Sequence, residues 1–355
     1  MAPPKETKFK VAAAHAAPVF MDKAATIEKT IKIIEQAAAD SVKLLVFPET
    51  FIPGYPYWTE AYPPMDQVGA IAKYTEESVV VEPNGKDVSA IQDACRRYNI
   101  AINLGISERM ANTHTLFNSQ VIIDSDGTIL GVHRKLQPTF VERMVWAQGN
   151  GSSLRTWPLS LGYNLGGLAC WEHTMNGARQ ALIMQNQHIH AGAWPALSTL
   201  RDFAGVANTQ IEALMKMHAL TAQVFVITAS DCVNQQALDW MEKNLGKQDH
   251  IKRGGGWSSI IHPFCTFIAG PHTGPEEKLV TGEINLADLG AVKVWVDAAG
   301  HYQRPEILQF GFDSRPHWLD EKVDRFKPRS EVKPKEEADE QLSSVSFSSS
   351  GHLQR

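Results

Sequence analysis

Hydrophobic positions in the first 150 residues recur at two spacings. Short unbroken apolar runs are typical of buried strands, and apolar residues at helical spacing are typical of helices with one buried face. The runs lie at residues 9–15, 43–47, 100–106, 116–123 and 128–132. The helical faces comprise Ile27, Ile31, Ile34 and Ala38, and then Val88, Ile91, Cys95 and Tyr98. The turn signal D-S-D-G at 124–127 predicts that the last two strands form a hairpin.

The second half of the chain repeats this mixture of patterns. Strands are predicted at residues 165–170, 188–193 and 224–229, with a further strand region at 258–269. Helices are predicted at residues 178–187 and 208–223. The apolar run at 279–284 is expected to pair with the strand region before it. Strands and helices that alternate in this way predict a layered α/β or α+β domain.

The pattern continues without a clean boundary to about residue 312, which predicts one large domain. Residues 327–355 differ, because they are rich in Lys, Glu, Ser and Pro and almost free of large apolar side chains. Such a segment cannot bury enough apolar surface to offset its ordering entropy. We therefore expect the C-terminal tail to be largely disordered unless a partner orders it.

Composition narrows the class of protein. The 355 residues are 43% hydrophobic and carry a formal net charge of -5, so no basic nucleic-acid surface is expected. The first ten residues lack the apolar stretch of a signal peptide, and no apolar run of about 18 residues predicts a membrane helix. Four widely spaced cysteines without a C-x-x-C pair argue against a disulfide scaffold or zinc ribbon. These features favour a cytoplasmic protein with free thiols.

A carboxylate stands directly after the second predicted strand. Glu49 lies in F-P-E-T at 47–50, and P-G-Y-P follows at 53–56. Strand ends in α/β proteins are where binding and catalytic sites are commonly built. Position alone favours a solvated glutamate in a loop over a functional one.

A lysine follows the predicted hairpin in H-R-K-L at 133–136, and Glu142 comes seven residues later. A desolvated Lys135 could stabilise developing negative charge. Lysines also decorate strand edges without further function. This segment alone favours an ordinary lysine at a strand edge.

A cysteine ends the strand that contains Gly166 and Gly167, and the polar pair Glu172 and His173 follows it. This is the form expected of a nucleophile at a strand-to-turn corner, where turn amides lower a thiol pKa. A buried structural cysteine explains Cys170 equally well.

The remaining candidates are weaker. Cys95 and Cys265 fall among apolar residues, whereas Cys232 follows a strand and is the only rival nucleophile. His188 and His190 would share a strand face but have no ligand partner at useful spacing, so structural roles are expected. G-G-G at 254–256 lacks the ending of a phosphate-binding loop.

Taken together, the segments F-P-E-T, H-R-K-L-Q-P-T and C-W-E-H resemble the nitrilase superfamily in order and spacing. Four further segments resemble its true nitrilase branch: P-G-Y-P-Y-W at 53–58, V-E-R-M-V-W at 141–146, A-W-P at 193–195 and G-H-Y-Q-R-P-E at 300–306. The resemblance spans about residues 8–312 and leaves residues 313–355 as a tail, disordered or involved in assembly.

The resemblance implies a role for each matching residue. Glu49 would be the proton acceptor, Lys135 the charge-stabilising proton donor, Cys170 the nucleophile and Glu142 a supporting carboxylate. No cofactor and no metal are expected. Four aromatic side chains are expected to shape an apolar substrate pocket, with a place in the core as an equally supported alternative for each, namely Tyr55, Trp58, Trp171 and Trp194.

The resemblance also implies a fold and an assembly. The expected fold is a four-layer α-β-β-α sandwich that pairs into an eight-layer dimer, and dimers of this branch extend into spirals or filaments. The expected reaction converts a small organic nitrile to the acid and ammonia. Cyanide hydration and amide hydrolysis on the same triad are the alternatives within this chemistry. A catalytically idle, filament-forming interaction protein is the alternative outside it, although such a protein has no reason to retain Glu49, Lys135 and Cys170 together.

Overall fold

The computed structural model describes residues 6–82 and 84–321. Its strands are β1 Lys8–His15, β2 Val42–Val46, β3 Ala101–Arg109, β4 Leu116–Ile123, β5 Ile129–Arg134, β6 Trp157–Pro158, β7 Asn164–Ala169, β8 Ile189–Trp194, β9 Phe225–Ser230, β10 Ser258–Ile261, β11 Phe267–His272 and β12 Lys278–Asn285. Its helices are α1 Lys23–Ala39, α2 Trp58–Ala61, α3 Val68–Glu77, α4 Ser89–Tyr98, α5 Asn176–Met184, α6 Ala207–Ala222, α7 Gln235–Leu245 and α8 Asp288–Trp295.

The strands form two six-stranded sheets. One sheet has the order β12-β1-β2-β3-β4-β5, and the other has the order β11-β10-β9-β8-β7-β6. Strands β1, β2 and β3 run parallel, as do β7, β8 and β9, whereas the outer pairs are antiparallel. Each sheet is therefore a parallel centre with antiparallel flanks.

Alternation along the strands explains why the two sheets stack. In β1, Val11 and Ala13 pack between the sheets, whereas Ala12 and Ala14 face the helices α1 and α4. Helices α5 and α6 cover the outer face of the second sheet. A strand with both faces buried needs apolar residues at every position. The chain thus forms the expected α-β-β-α sandwich, and its pairing into an eight-layer dimer stays a prediction.

The expectation for residues 279–284 is wrong. β12 pairs antiparallel with β1, from Lys8 opposite Asn285 to His15 opposite Lys278, and so belongs to the other sheet from β10 and β11. The physical reason is burial, because Val280 and Ile284 join the apolar layer between the sheets. Hydrophobicity predicts that strand, but it does not select between two neighbouring sheet edges.

The C-terminal part of the described chain lies against the domain. Trp318 packs its ring edge-on against Phe117, with centroids 4.9 Å apart, and its indole donates a hydrogen bond to the Gln148 carbonyl. Asp320 pairs with the buried Arg134. Residues 327–355, for which we expect disorder, lie outside the described residues. Within the described ranges, no helix combines the length and apolar composition needed to cross a membrane.

Candidate active site

Three strand ends meet at one buried cluster. Glu49 follows β2, Lys135 follows β5 and Cys170 follows β7, and each is at most 1% exposed. The Nζ atom of Lys135 lies 2.8 Å from Glu49 Oε1 and 2.8 Å from Glu142 Oε2. One carboxylate oxygen of Glu49, one of Glu142 and the Sγ of Cys170 all lie within 4.8 Å of one another. The structure therefore brings together all four residues of the sequence hypothesis.

The turn that carries Glu49 is held against β3. Phe47 donates a backbone hydrogen bond to Asn103, and Thr50 has a positive φ of 43°. A Cβ at Gly105 would stand 2.0 Å from the Pro48 carbonyl oxygen, so only glycine permits this contact. The Nδ2 of Asn118 donates to Glu49 Oε1 at 2.6 Å. The carboxylate is thus oriented by the backbone of one strand and the side chain of another.

Glu142 is positioned by a short 3-10 turn, Phe140–Met144. Its Oε2 accepts the backbone N–H of Thr139 at 2.7 Å, which closes a capping box. Its Oε1 accepts the hydroxyl of Tyr55 at 2.8 Å. With the Lys135 ammonium included, both carboxylate oxygens have charged or neutral donors, so Glu142 is held rigidly beside the lysine.

Cys170 begins a 3-10 turn, Cys170–Thr174, in a left-handed conformation with φ 52°. Residues other than glycine rarely adopt this conformation, and strained backbone often marks a functional position. The turn points the thiol back toward the two carboxylates. The predicted strand-to-turn corner is confirmed.

Burial dominates the protonation of the cluster. Burial raises the pKa of Glu49 to about 7, against the opposing pull of Lys135. Burial also raises the pKa of the Cys170 thiol well above its usual range, and the charge of Glu49 adds to this shift. Burial alone would lower the pKa of Lys135, but Glu142 and Glu49 together raise it well above its usual value. Lys135 is therefore an ammonium, and the resting Cys170 is a thiol.

The sequence predicts that turn amides lower the pKa of Cys170. One amide does so, but the net shift of the thiol pKa is upward. The Trp171 amide does lower it, but burial and the nearby Glu49 charge outweigh that bond. A thiol in this position needs a base. Among the described residues, Glu49 is the carboxylate with a buried oxygen, Oε2, that accepts no hydrogen bond.

Glu172 is a buried carboxylate beside the cluster that the sequence hypothesis quoted within C-W-E-H but did not assign a role. Its Oε1 accepts the Leu136 amide at 2.8 Å, and its Oε2 accepts the Ala169 amide at 3.0 Å. Burial would raise its pKa, but His133, 3.0 Å away, and these two amides lower it. Glu172 thus joins the residue after Lys135 to the residue before Cys170. The signal in the sequence was its spacing, because a glutamate three residues after the residue that precedes a helical turn can accept the backbone amide of that residue.

The donor types of Glu49, Glu142 and Cys170 could in principle hold a cation. The ammonium of Lys135 already lies at hydrogen-bond distance from both carboxylates. A positive charge is therefore supplied by the chain itself at the position a metal would take.

A cavity of about 310 Å³ opens above Cys170. Apolar and aromatic side chains form much of its wall: Tyr55, Phe140, Trp171, Leu197, Leu200 and Phe203. The polar part of the lining comprises Glu60, Thr139, Glu142, Asp202 and His250, with Cys170 itself. A second cavity, of about 830 Å³, lies beside α5 and α6 and shares no lining residue with the first.

Two of the four aromatic residues expected at the pocket do not line this cavity. Trp58 is fully buried and packs against Tyr74 and Trp240. Trp194 is fully buried and stacks on His173. Both are core aromatics, and Trp194 packs behind Trp171 with ring centroids 6.4 Å apart. Tyr55 and Trp171 face the cavity. Sequence spacing cannot separate these two layers of aromatic side chains.

Comparison with known proteins agrees with this geometry. The carbon-nitrogen hydrolase family matches residues 10–294. The chain belongs to the carbon-nitrogen hydrolase family. This carbon-nitrogen hydrolase is 36% identical over 309 residues to a nitrilase from Pseudomonas syringae pv. syringae (strain B728a), covering 87% of this chain and 90% of that protein. It is also 36% identical over 310 residues to an aliphatic nitrilase from Rhodococcus rhodochrous, covering 86% of this chain and 83% of that protein. The resemblance to the nitrilase superfamily is confirmed.

Solved structures confirm the fold of this carbon-nitrogen hydrolase. A carbon-nitrogen hydrolase from Helicobacter pylori G27 aligns with a TM-score of 0.66 at 18% identity, covering 86% of this chain and 99% of that one. Nit3 from Saccharomyces cerevisiae, a member of branch 10 of the nitrilase superfamily, aligns with a TM-score of 0.65 at 20% identity, covering 84% of this chain and 97% of that one.

Proposed function

We propose that this carbon-nitrogen hydrolase is a nitrilase that converts a small organic nitrile and water to a carboxylic acid and ammonia. The observation that carries the proposal is the Lys135 ammonium held between two buried carboxylates, with the Cys170 thiol within 4.8 Å of both. Relatives at 36% identity that bear the name nitrilase support it.

In the first step Glu49 takes the thiol proton as Cys170 Sγ bonds to the nitrile carbon. A nitrile carbon is a modest electrophile, so the thiolate must form as it attacks. The nitrile nitrogen gains the electron pair of one C–N bond. Lys135 stabilises that charge and donates one proton to nitrogen, which yields a neutral thioimidate. The proton that Glu49 took from the thiol then passes to Lys135, 2.8 Å away, and Glu49 is a carboxylate again. A buried fixed cation does this with little reorganisation.

Water enters in the second step. Glu49 accepts a proton from water as the oxygen adds to the thioimidate carbon, and the nitrogen is protonated to an amine. Glu49 then transfers the hydroxyl proton of this intermediate to the amine nitrogen. Cleavage of the C–N bond releases ammonia, and the oxygen becomes the carbonyl of a thioester on Cys170. A second water, activated by the same carboxylate, cleaves the C–S bond and frees the acid. One residue serves as base and acid in turn.

Glu142 supports this chemistry as a positioning residue. It holds the Lys135 ammonium through both carboxylate oxygens, at 2.8 and 3.1 Å. It also binds Tyr55, whose ring borders the cavity. A change in the orientation of Glu142 would move the Lys135 ammonium away from the developing negative charge. Glu142 therefore contributes by fixing the position of Lys135.

Two other reactions are open to the same triad. Expulsion of the thiolate in place of ammonia would release an amide, and hydrogen cyanide is the smallest nitrile. The apolar wall of the cavity supports a substrate with an organic side chain.

We further propose a cytosolic homo-oligomer, a dimer that extends into a spiral or filament. Four free cysteines support the compartment, and exposed Met184 and Leu220 on α5 and α6 support an interface.

Replacement of the nucleophile tests the function. Cys170→Ala is expected to lower acid and ammonia release from a panel of aliphatic, aromatic and arylaceto nitriles by at least about a thousandfold. Cys232→Ala is the matched control, because Cys232 is equally buried but lies outside the cavity wall, and it should keep its turnover. Full turnover by Cys170→Ala, or activity confined to amides or to cyanide, would contradict the proposal.

The protonation of Glu49 predicts the pH dependence. Because the pKa of Glu49 is about 7, the carboxyl group is protonated at lower pH and cannot accept the thiol proton. For an uncharged nitrile, kcat/KM should therefore fall below about pH 7 and approach a tenfold loss per pH unit. Circular dichroism at each pH separates this loss from unfolding. A kcat/KM that stays level from pH 8 to pH 5 would remove Glu49 from the role of base.

Charge at the cavity narrows the proposed substrate to uncharged nitriles. Glu60, Glu142 and Asp202 line the cavity, and no lysine or arginine does so in the described part of the chain. Burial raises the pKa of Glu60, and the like charges of Glu142 and Asp202 add to it. The negative field of these carboxylates disfavours a nitrile that carries a carboxylate.

This charge selection is measured as a ratio. We expect Glu60→Gln combined with Asp202→Asn to raise kcat/KM for an ω-cyanocarboxylate, relative to an uncharged nitrile of the same length, by about fivefold. That is the effect of about 1 kcal/mol of repulsion between exposed charges. Glu28→Gln with Asp40→Asn removes two exposed charges elsewhere and should leave the ratio unchanged. A ratio that does not rise would show that the cavity acids do not select the substrate.

A further inference from the structure

A buried chain of hydrogen bonds leads from the Cys170 backbone to helix α6 through side chains that the proposed chemistry does not use. His173 Nδ1 lies 2.7 Å from the Cys170 carbonyl oxygen, and His173 Nε2 lies 2.9 Å from His190 Nε2. His190 Nδ1 lies 2.9 Å from Gln187 Nε2, and Gln187 Oε1 lies 3.1 Å from His218 Nε2. All four side chains are buried.

The partners dictate one arrangement of protons when the imidazoles are neutral. A carbonyl oxygen only accepts, so His173 must carry its proton on Nδ1 and offer a lone pair at Nε2. His190 must then donate from Nε2 and accept at Nδ1 from the Gln187 amide. Gln187 in turn accepts the Nε2 proton of His218. Every donor in the chain therefore points toward Cys170.

The packing around the chain leaves room for this arrangement and for few others. A Cβ at Gly166 would stand 2.4 Å from Gln187 Nε2, so the glycine of β7 makes space for that amide. His173 stacks on Trp194 with centroids 5.3 Å apart and a 13° angle. His190 and His218 have centroids 4.0 Å apart. The chain joins the Cys170 turn, β8 and α6.

We propose that His173, His190, Gln187 and His218 form a one-directional hydrogen-bond chain that positions the Cys170 backbone, and so the nucleophile, for attack. Cys170 has φ 52°, a conformation that an L-residue adopts only when its surroundings hold it. The bond from His173 to the Cys170 carbonyl fixes the orientation of that peptide. The inference rests on the proposed function, in which Cys170 is the nucleophile. The four residues touch no reacting atom and are positioning residues.

The charges around the chain favour its neutral form. Burial lowers the pKa of His173 to about 4 and lowers the pKa values of His190 and His218 well below the usual range. The groups that act on them are Glu172 and Arg179, with Lys135 and His133 beyond. Of these only Glu172 favours a protonated His173. A proton added at His173 Nε2 would face the Nε2 proton of His190 and break the chain.

The experiment uses the different reach of asparagine and glutamine. The amide nitrogen of Asn occupies roughly the place of a histidine Nδ1, and that of Gln the place of Nε2. At position 173, His173→Asn keeps the donor to the Cys170 carbonyl, and an amide has no tautomer for His190 to fix, so this variant does not need the rest of the chain. His173→Gln loses that donor. At position 190 the order reverses, because His190→Gln reaches His173 and His190→Asn does not. A steric requirement would favour the same amide at both positions.

Two readouts are measured on the full-length protein. His173→Gln and His190→Asn should lower kcat at least about tenfold, with KM within about twofold, whereas His173→Asn and His190→Gln should recover most of kcat. The second readout is the rate of Cys170 alkylation by iodoacetamide as a function of pH, followed by peptide mass spectrometry. This pH profile should differ from that of the wild type in His173→Gln and His190→Asn and should stay close to it in His173→Asn and His190→Gln. This second readout needs no nitrile turnover, so it tests the chain even if the proposed function fails.

His188→Asn is the matched control. His188 stands two residues before His190, and its Nδ1 accepts the Asn164 amide outside the chain, a role that the Asn oxygen can fill. It should match the wild type in both readouts. Equal losses for Asn and Gln at both positions, or a wild-type alkylation profile in His190→Asn with the fold intact by circular dichroism, would overturn the proposal.

Discussion

The ammonium of Lys135, shared by two buried carboxylates, is the contact on which the rest of the site depends. Removal of three charged groups from water is unfavourable, and it is offset only when their geometry is close and their remaining atoms are hydrogen-bonded. Here Asn118, Tyr55 and the Thr139 amide supply those bonds. Loss of one partner from such a group typically costs about 3–5 kcal/mol. The cluster is therefore positioned with little freedom.

The sandwich explains how such a cluster can be assembled. Glu49 and Lys135 end strands of one sheet, and Cys170 ends a strand of the other, so the site lies where the two stacked sheets share an end. Glu172 connects the sheets locally, since its two oxygens accept amides beside Lys135 and Cys170. Stacking of the apolar faces thus determines the distance between Cys170 and Glu49. Movement of one sheet relative to the other would separate them.

Much of this could be predicted from the sequence, for physical reasons. Strands such as Leu116–Ile123 are buried on both faces and stand out as apolar runs. The family resemblance selected Glu49, Lys135, Cys170 and Glu142 as candidates, and the structure brings them into one cluster. Helix α7 was not predicted, although its N-cap Asn234, which accepts the Ala237 amide, was a usable signal. The sheet partner of β12 was predicted wrongly, because hydrophobicity carries no information about which edge a strand joins.

Features that depend on contacts between distant segments could not be predicted. Whether an aromatic residue such as Trp58 faces a cavity or the core behind it depends on neighbours that lie far along the chain. The same holds for the hydrogen-bond chain, since His190 and His218 come from β8 and α6 and lie far apart in the sequence. The thiol pKa of Cys170 was misjudged because local amides are visible in the sequence, whereas the depth of burial is a tertiary property.

The central claim is that the Lys135 cluster equips Cys170, and no other cysteine, to form a covalent intermediate. The most direct measurement is acid quenching during turnover of a nitrile, followed by peptide mass spectrometry in the wild type and in Lys135→Met. The account predicts a thioimidate or thioester on the peptide that contains Cys170, and no such adduct in Lys135→Met. Acid release with an adduct on Cys95, Cys232 or Cys265, or an undiminished Cys170 adduct without Lys135, would contradict it.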